Sequence, residues 1–139
     1  MGMILRAALI ALGLSTPVAA EEADLLGTMQ DYADFAPYEA RIILPQQLTQ
    51  DIFDAVTFID TRSEAQVAQG TIPGAHHMEW RTLFARVDEL PQDRKVILFC
   101  NTGALSAQAG FGLRVAGMDN VLILQGGYHG WLQDAAYRP

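Results

Sequence analysis

The chain has 139 residues, half of them hydrophobic, enough for one core and hardly for two. Its formal charge is −7, from nine basic and sixteen acidic residues, and such a surface is a poor partner for nucleic acid or an anionic membrane. A single cysteine excludes an internal disulfide.

The first twenty residues stand apart. Arg6 precedes the apolar stretch Ala7–Leu14, and Ser15, Thr16 and Pro17 lead to Val18-Ala19-Ala20 before Glu21-Glu22. A positive start, a short apolar region and a small-residue end predict a signal peptide over residues 1–20, cleaved after Ala20. The apolar stretch is far below the ~20 residues of a spanning helix. No membrane span is therefore expected after cleavage, and the product is expected to be periplasmic or secreted. Cleavage removes Arg6 and leaves a charge of −8, from eight basic and sixteen acidic residues.

Residues 21–40 are acidic and mixed, with Leu25, Leu26, Met29, Tyr32 and Phe35 at roughly helical intervals, so a lead-in helix is expected to pack on the domain. After Pro37 the character changes. Arg41-Ile42-Ile43-Leu44 predicts an edge strand, and Pro45 opens a small helix. Val56–Ile59, Val96–Phe99 and Val121–Leu124 are almost wholly apolar, which suits strands covered on both faces. Ser63 and Gln66 have the spacing of a capping box, and Gly70 can end that helix. Trp80, Leu83, Phe84 and Val87 form an apolar stripe of helical period, as do Leu105, Ala109, Leu113 and Ala116 ahead of Gly117. A last short helix carries Trp131 and Leu132. Strand and helix alternate, which predicts an α/β domain with a mainly parallel sheet of about five strands flanked by helices on both faces.

Ligands bind beyond the carboxyl ends of the strands in such a sheet. Cys100 ends one predicted strand and Asp60 follows another, so both point to one crevice. Asn101-Thr102-Gly103-Ala104 then turns into a helix starting near Leu105. Backbone N–H groups in such a turn can converge on an anion, and the helix N-terminus adds about half a positive charge. Both favour thiolate over thiol, without any Lys or Arg between Cys100 and Arg114. The other reading of this stretch is an inert cysteine packed as a small hydrophobe.

Four motifs in order decide between them. Asp60-Thr61-Arg62 follows a strand, Gly70-Thr71-Ile72-Pro73-Gly74-Ala75 a helix, and Cys100-Asn101-Thr102-Gly103 the next strand. Gly126-Gly127-Tyr128-His129-Gly130-Trp131 closes the pattern. In this order and spacing the sequence resembles the rhodanese-like (sulfurtransferase) family, over about residues 42–134, and looks most like its small exported single-domain members. A single rhodanese-like domain is therefore assigned to residues 41–139. The resemblance implies that Cys100 takes a sulfane sulfur from a donor, becomes a persulfide and passes the outer sulfur to a thiophilic acceptor. The substrates implied are a small sulfur donor and a thiol or cyanide-like acceptor, or a partner protein carrying a persulfide. No metal or organic cofactor is implied. The amides of Asn101, Thr102, Gly103, Ala104 and Leu105 would form the cradle, and Ser106 would add a hydroxyl. Asp60 and Arg62 match the family's Asp-x-Arg and read as a structural pair supporting the site.

The sequence departs from the family pattern where many active members carry cations, at Asn101 and Leu105. Thr71 replaces a usual histidine, and Gln66 replaces a frequent acidic residue. These changes leave the cradle in place and the donor open. An alternative reading is thus a non-enzymatic binding or sulfur-relay module with little thiosulfate activity. A related cysteine phosphatase needs a cysteine, five residues and an arginine to clamp phosphate, and position 106 is Ser106. His76 and His77 are adjacent and face opposite ways in an extended segment, so no metal site is expected.

Overall fold

The computed structural model describes residues 18–38 and 41–139. The proposed signal peptide lies outside the described residues except for its last three, which begin helix α1 (Val18–Phe35). No helix among the described residues is long and apolar enough to cross a membrane.

Five strands form one sheet: β1 (Ile42–Ile43), β2 (Thr57–Asp60), β3 (His76–His77), β4 (Val96–Phe99) and β5 (Val121–Leu124). Their order is β1-β5-β4-β2-β3, and every pairing is parallel. The helices are α1, α2 (Gln50–Ala55), α3 (Glu64–Val67), α4 (Ala104–Val115) and α5 (Gly127–Asp134), with 3₁₀ turns at Pro45–Gln47 and Phe84–Glu89. This is the expected α/β architecture.

The apolar run of β4 shows why the sheet is buried on both sides. Successive side chains point to opposite faces, so Val96 and Leu98 join Ile59, Ala109 and Leu113 in one core cluster. Ile97 and Phe99 join Phe58, Leu124 and Trp131 in the other. Each buried Val, Leu, Ile or Phe side chain contributes roughly 1.5–3 kcal/mol relative to exposure. Trp131 is buried and stacks on Tyr128, with ring centroids 5.9 Å apart.

Three elements differ from the sequence reading. The edge strand is confined to Ile42–Ile43, because Arg41 has a positive φ of 72° and the Leu44 amide donates to Gln47 Oε1 instead of a strand. The stripe from Trp80 to Val87 is not an α-helix. Consecutive i+3 bonds, Thr82 to Glu79, Arg86 to Leu83 and Leu90 to Val87, close separate turns that pin Leu83 and Leu90 into the core. In α4 the buried stripe is Ser106, Ala109, Gly110 and Leu113, whereas Leu105 is exposed.

The lead-in helix exists, but it rests narrowly on the domain. Tyr32 meets Phe111 edge-on at 5.6 Å and accepts a hydrogen bond from Arg114 Nε at 2.7 Å, while Leu25, Leu26 and Phe35 stay exposed.

Candidate active site

Strands β2 and β4 run in register, Asp60 opposite Phe99, so Asp60 and Cys100 emerge together at one end of the sheet. Thr61 ties them further, its amide and its hydroxyl both donating to the Phe99 carbonyl at 2.9 Å.

Asp60 and Arg62 are buried, and they form a fork: Arg62 Nε donates to Asp60 Oδ1 at 2.9 Å and Nη2 to Oδ2 at 2.6 Å. Burial raises the Asp60 carboxyl, but hydrogen bonds from Arg62 and Thr71 outweigh it and hold the group below the ordinary carboxylate range. Thr71, at the place of the usual histidine, donates its hydroxyl to Oδ2 at 2.6 Å. Arg62 also donates to the Gly70 carbonyl at 2.7 Å and to Asn101 Oδ1 at 3.3 Å, and its guanidinium lies 4.3 Å from the Tyr128 ring centroid. Its charge is thus spent on tying the end of β2 to the cysteine loop and to α5.

Cys100 is 3% exposed. Its Sγ accepts from the Gly103 amide at 3.2 Å and from Ser106 Oγ at 3.7 Å. Burial pushes the thiol up, yet the Ser106 and Thr102 amides, the Ser106 hydroxyl and the Gly103 amide together bring it below the ordinary thiol value. The amides that act on Sγ are therefore those of Thr102, Gly103 and Ser106, rather than the whole run from Asn101 to Leu105. Asn101 turns its side chain to Arg62, and Ala104 and Leu105 are exposed. Gly103 caps α4 with φ 97°, a conformation that side chains resist.

The carbonyls of this loop explain why its amides face inward. Tyr128 N–H donates to the Cys100 carbonyl at 2.7 Å and His129 N–H to the Asn101 carbonyl at 3.0 Å. These otherwise unpaired donors at the start of α5 hold the carbonyls outward. Sequence reasoning missed this backbone clamp; its signal was the glycine pair Gly126-Gly127 ahead of a short helix.

A cavity of about 240 Å³ beside the loop is lined by Gln66, Gln69, Asn101, Tyr128 and His129, with Arg62 at its wall. A larger one of about 440 Å³ lies by His76, Arg86 and Glu89, touches none of the expected site residues and reaches the opposite end of β2 at Thr57. His77 Nε2 bonds the Arg62 carbonyl at 2.7 Å. No group of three His, Cys, Asp or Glu residues placed to hold a metal occurs among the described residues.

A buried cysteine in an amide cradle, braced by an Asp-x-Arg fork, can hold an anion on sulfur without reorganising. Comparison with known proteins agrees in family. Residues 44–134 match the model of the rhodanese-like domain. A sulfurtransferase of Allochromatium vinosum is 38% identical over 88 residues, covering 62% of this chain and 82% of that protein. A tRNA uridine(34) hydroxylase of Xanthomonas campestris is 31% identical over 112 residues, covering 71% of this chain but only 43% of the relative. Among solved structures, a rhodanese-related protein of Thermoplasma volcanium superposes with a TM-score of 0.63 at 26% identity, over 68% of this chain and 92% of that one. On the family match, the ordered motifs and the shared fold, the chain belongs to the rhodanese-like family.

Proposed function

We propose that this protein is a sulfurtransferase that carries sulfur as a persulfide on Cys100. The observation that carries the reading is the donation of the Gly103 amide and the Ser106 hydroxyl to a buried Cys100 Sγ. The thiolate attacks the sulfane sulfur of a donor; a sulfur–sulfur bond to Cys100 forms as the donor's own breaks, and the donor leaves with the electron pair, as sulfite when it is thiosulfate. An acceptor thiolate then attacks the outer sulfur, and Cys100 leaves as thiolate. The same amides serve both anions. Intact mass of the protein after exposure to thiosulfate or a polysulfide should show one added sulfur, absent in Cys100→Ser. Turnover by Cys100→Ser would overturn the proposal.

A second reading, a relay loaded from a protein-borne persulfide, is favoured by one observation. No cation lies in the loop from Cys100 to Ser106, and Arg62 is engaged by Asp60. Loading from a protein persulfide with none from thiosulfate would select it. The leader-like start further supports export to the periplasm or medium, which N-terminal sequencing of the protein recovered from the cell envelope would test.

A further inference from the structure

Two primary amides beside the cysteine loop have only one end in use. Gln66 Oε1 accepts from the Ser63 amide and hydroxyl, both at 3.2 Å. A backbone N–H can meet only an acceptor, so the oxygen of Gln66 must face Ser63 and Nε2 is turned away from it. Asn101 is fixed by the same logic. Its Oδ1 accepts from Arg62 Nη1 at 3.3 Å, and a guanidinium has donors alone, so Nδ2 is the free end. Neither NH2 group donates to an acceptor among the described residues, and both reach solvent.

Both residues are half-buried and line the cavity of about 240 Å³ at the loop. Tyr128 and Leu132 give that cavity an apolar wall. Among its lining residues only Arg62 carries a fixed charge, and Asp60 meets that charge at 2.6 Å. The cavity thus offers oriented N–H donors and no uncompensated cation. A dianion seated here would lose water without meeting a counter-ion. A simple alkyl thiol would cover the NH2 groups and leave them without acceptors. Uncharged carbonyl oxygens satisfy both, and the peptide groups flanking a cysteine hold such oxygens within one residue of its sulfur.

We infer that the cavity seats a cysteinyl peptide as the partner thiol of Cys100, with peptide carbonyls on Gln66 Nε2 and Asn101 Nδ2 and aliphatic atoms against Leu132. The transfer itself rests on the proposed persulfide chemistry. The peptide thiolate attacks the outer sulfur of the Cys100 persulfide; a sulfur–sulfur bond to the peptide forms as the one to Cys100 breaks, and Cys100 leaves with the electron pair. The reverse step loads Cys100 from a peptide persulfide, so one seat serves donor and acceptor.

Two measurements separate the seat from the chemistry. The unreactive peptide Ac-Gly-Ser-Gly-NH2 is titrated into the untreated full chain, and the side-chain NH2 signals of Gln66 and Asn101 are followed by NMR. Saturable shifts at both are expected, and no shift at either overturns the inference. Polysulfide-loaded protein is then discharged with Ac-Gly-Cys-Gly-NH2 or mercaptoethanol, each rate divided by that thiol's rate toward a small disulfide in solution. The peptide is expected to be preferred by about tenfold. Gln66→Glu keeps the oxygen facing Ser63 and removes the donor, and it should lower this preference about two- to tenfold, as should Asn101→Asp. Equal corrected rates in the parent, or a preference unmoved in Gln66→Glu, would overturn the inference. Faster discharge by a nonapeptide of Gly and Ser around the same centre assigns the seat to a protein segment, and equal discharge to a small peptide. Binding of the serine peptide by a protein that takes up no sulfur would overturn the proposed activity and leave the seat standing.

Discussion

Gly127 sits directly against the Cys100 carbonyl: a Cβ at Gly127 would fall 2.3 Å from that oxygen and 2.7 Å from the Asn101 carbonyl carbon. Both atoms are backbone, so neither can swing aside as a side chain would. Gly127 also has φ 57°, in the left-handed region. The clamp of α5 on the cysteine loop therefore requires glycine at this position.

Gly127→Ala is expected to lose about 1–3 kcal/mol or more of stability. It should also lose most sulfur loading at Cys100, because the loop must move away from α5. Thermal unfolding and intact mass after polysulfide treatment check the two effects. A variant that loads normally would show that the clamp does not orient the loop amides.

Asp60→Asn leaves the buried Arg62 charge without its anion, and about 3–5 kcal/mol of destabilisation follows. The acid limb carries the same information. Because the native Asp60 carboxyl lies below its unfolded value of 3.8, the unfolded chain binds more protons as the pH falls. The pair's contribution is thus complete above about pH 4 and is lost as the pH falls through the lowered native pKa. Denaturant midpoints between pH 2 and 6 should fall less steeply in Asp60→Asn than in the parent.

Ser106→Ala removes the hydroxyl donor on Cys100 Sγ while keeping the Ser106 amide. The pH profile of Cys100 alkylation, which should inflect below the ordinary thiol value in the parent, is expected to move upward. Sulfur loading at neutral pH should slow by about two- to tenfold. An unmoved profile would place the whole effect on the backbone.

Leu105→Arg puts a cation at an exposed position on the first turn of α4, beside the loop. A positive charge at a helix start costs about 0.3–1 kcal/mol, so the fold should persist. If thiosulfate reaches this position, its KM should fall several-fold with kcat little changed. Steady-state kinetics with thiosulfate and cyanide read this directly.

Much of this was legible from residues alone because it is written in local pattern. Apolar runs ending at Asp60 and Cys100 predict buried parallel strands, and the register of β2 with β4 carries both residues to the same end. Ser63 and Gln66 form the expected capping box. The stripe from Trp80 to Val87 misled because apolar spacing does not distinguish a continuous helix from short i+3 turns holding Leu83 and Leu90. At α4, apolarity pointed Leu105 inward, whereas the packing turns Ser106 there.

The sequence by itself determined an α/β chain with a lone cysteine at a strand end, followed by a turn free of cations, because strand burial and turn chemistry are local. Tertiary structure decided which groups meet the sulfur. Cys100 and Asn101 carbonyls are held by amides of Tyr128 and His129, and Arg62 is consumed by Asp60, Gly70 and Asn101. The Asp60–Arg62 pair is local, two residues apart, but the partners of the two loop carbonyls and of Asn101 are brought together only by the parallel crossovers, so no spacing along the chain encodes them.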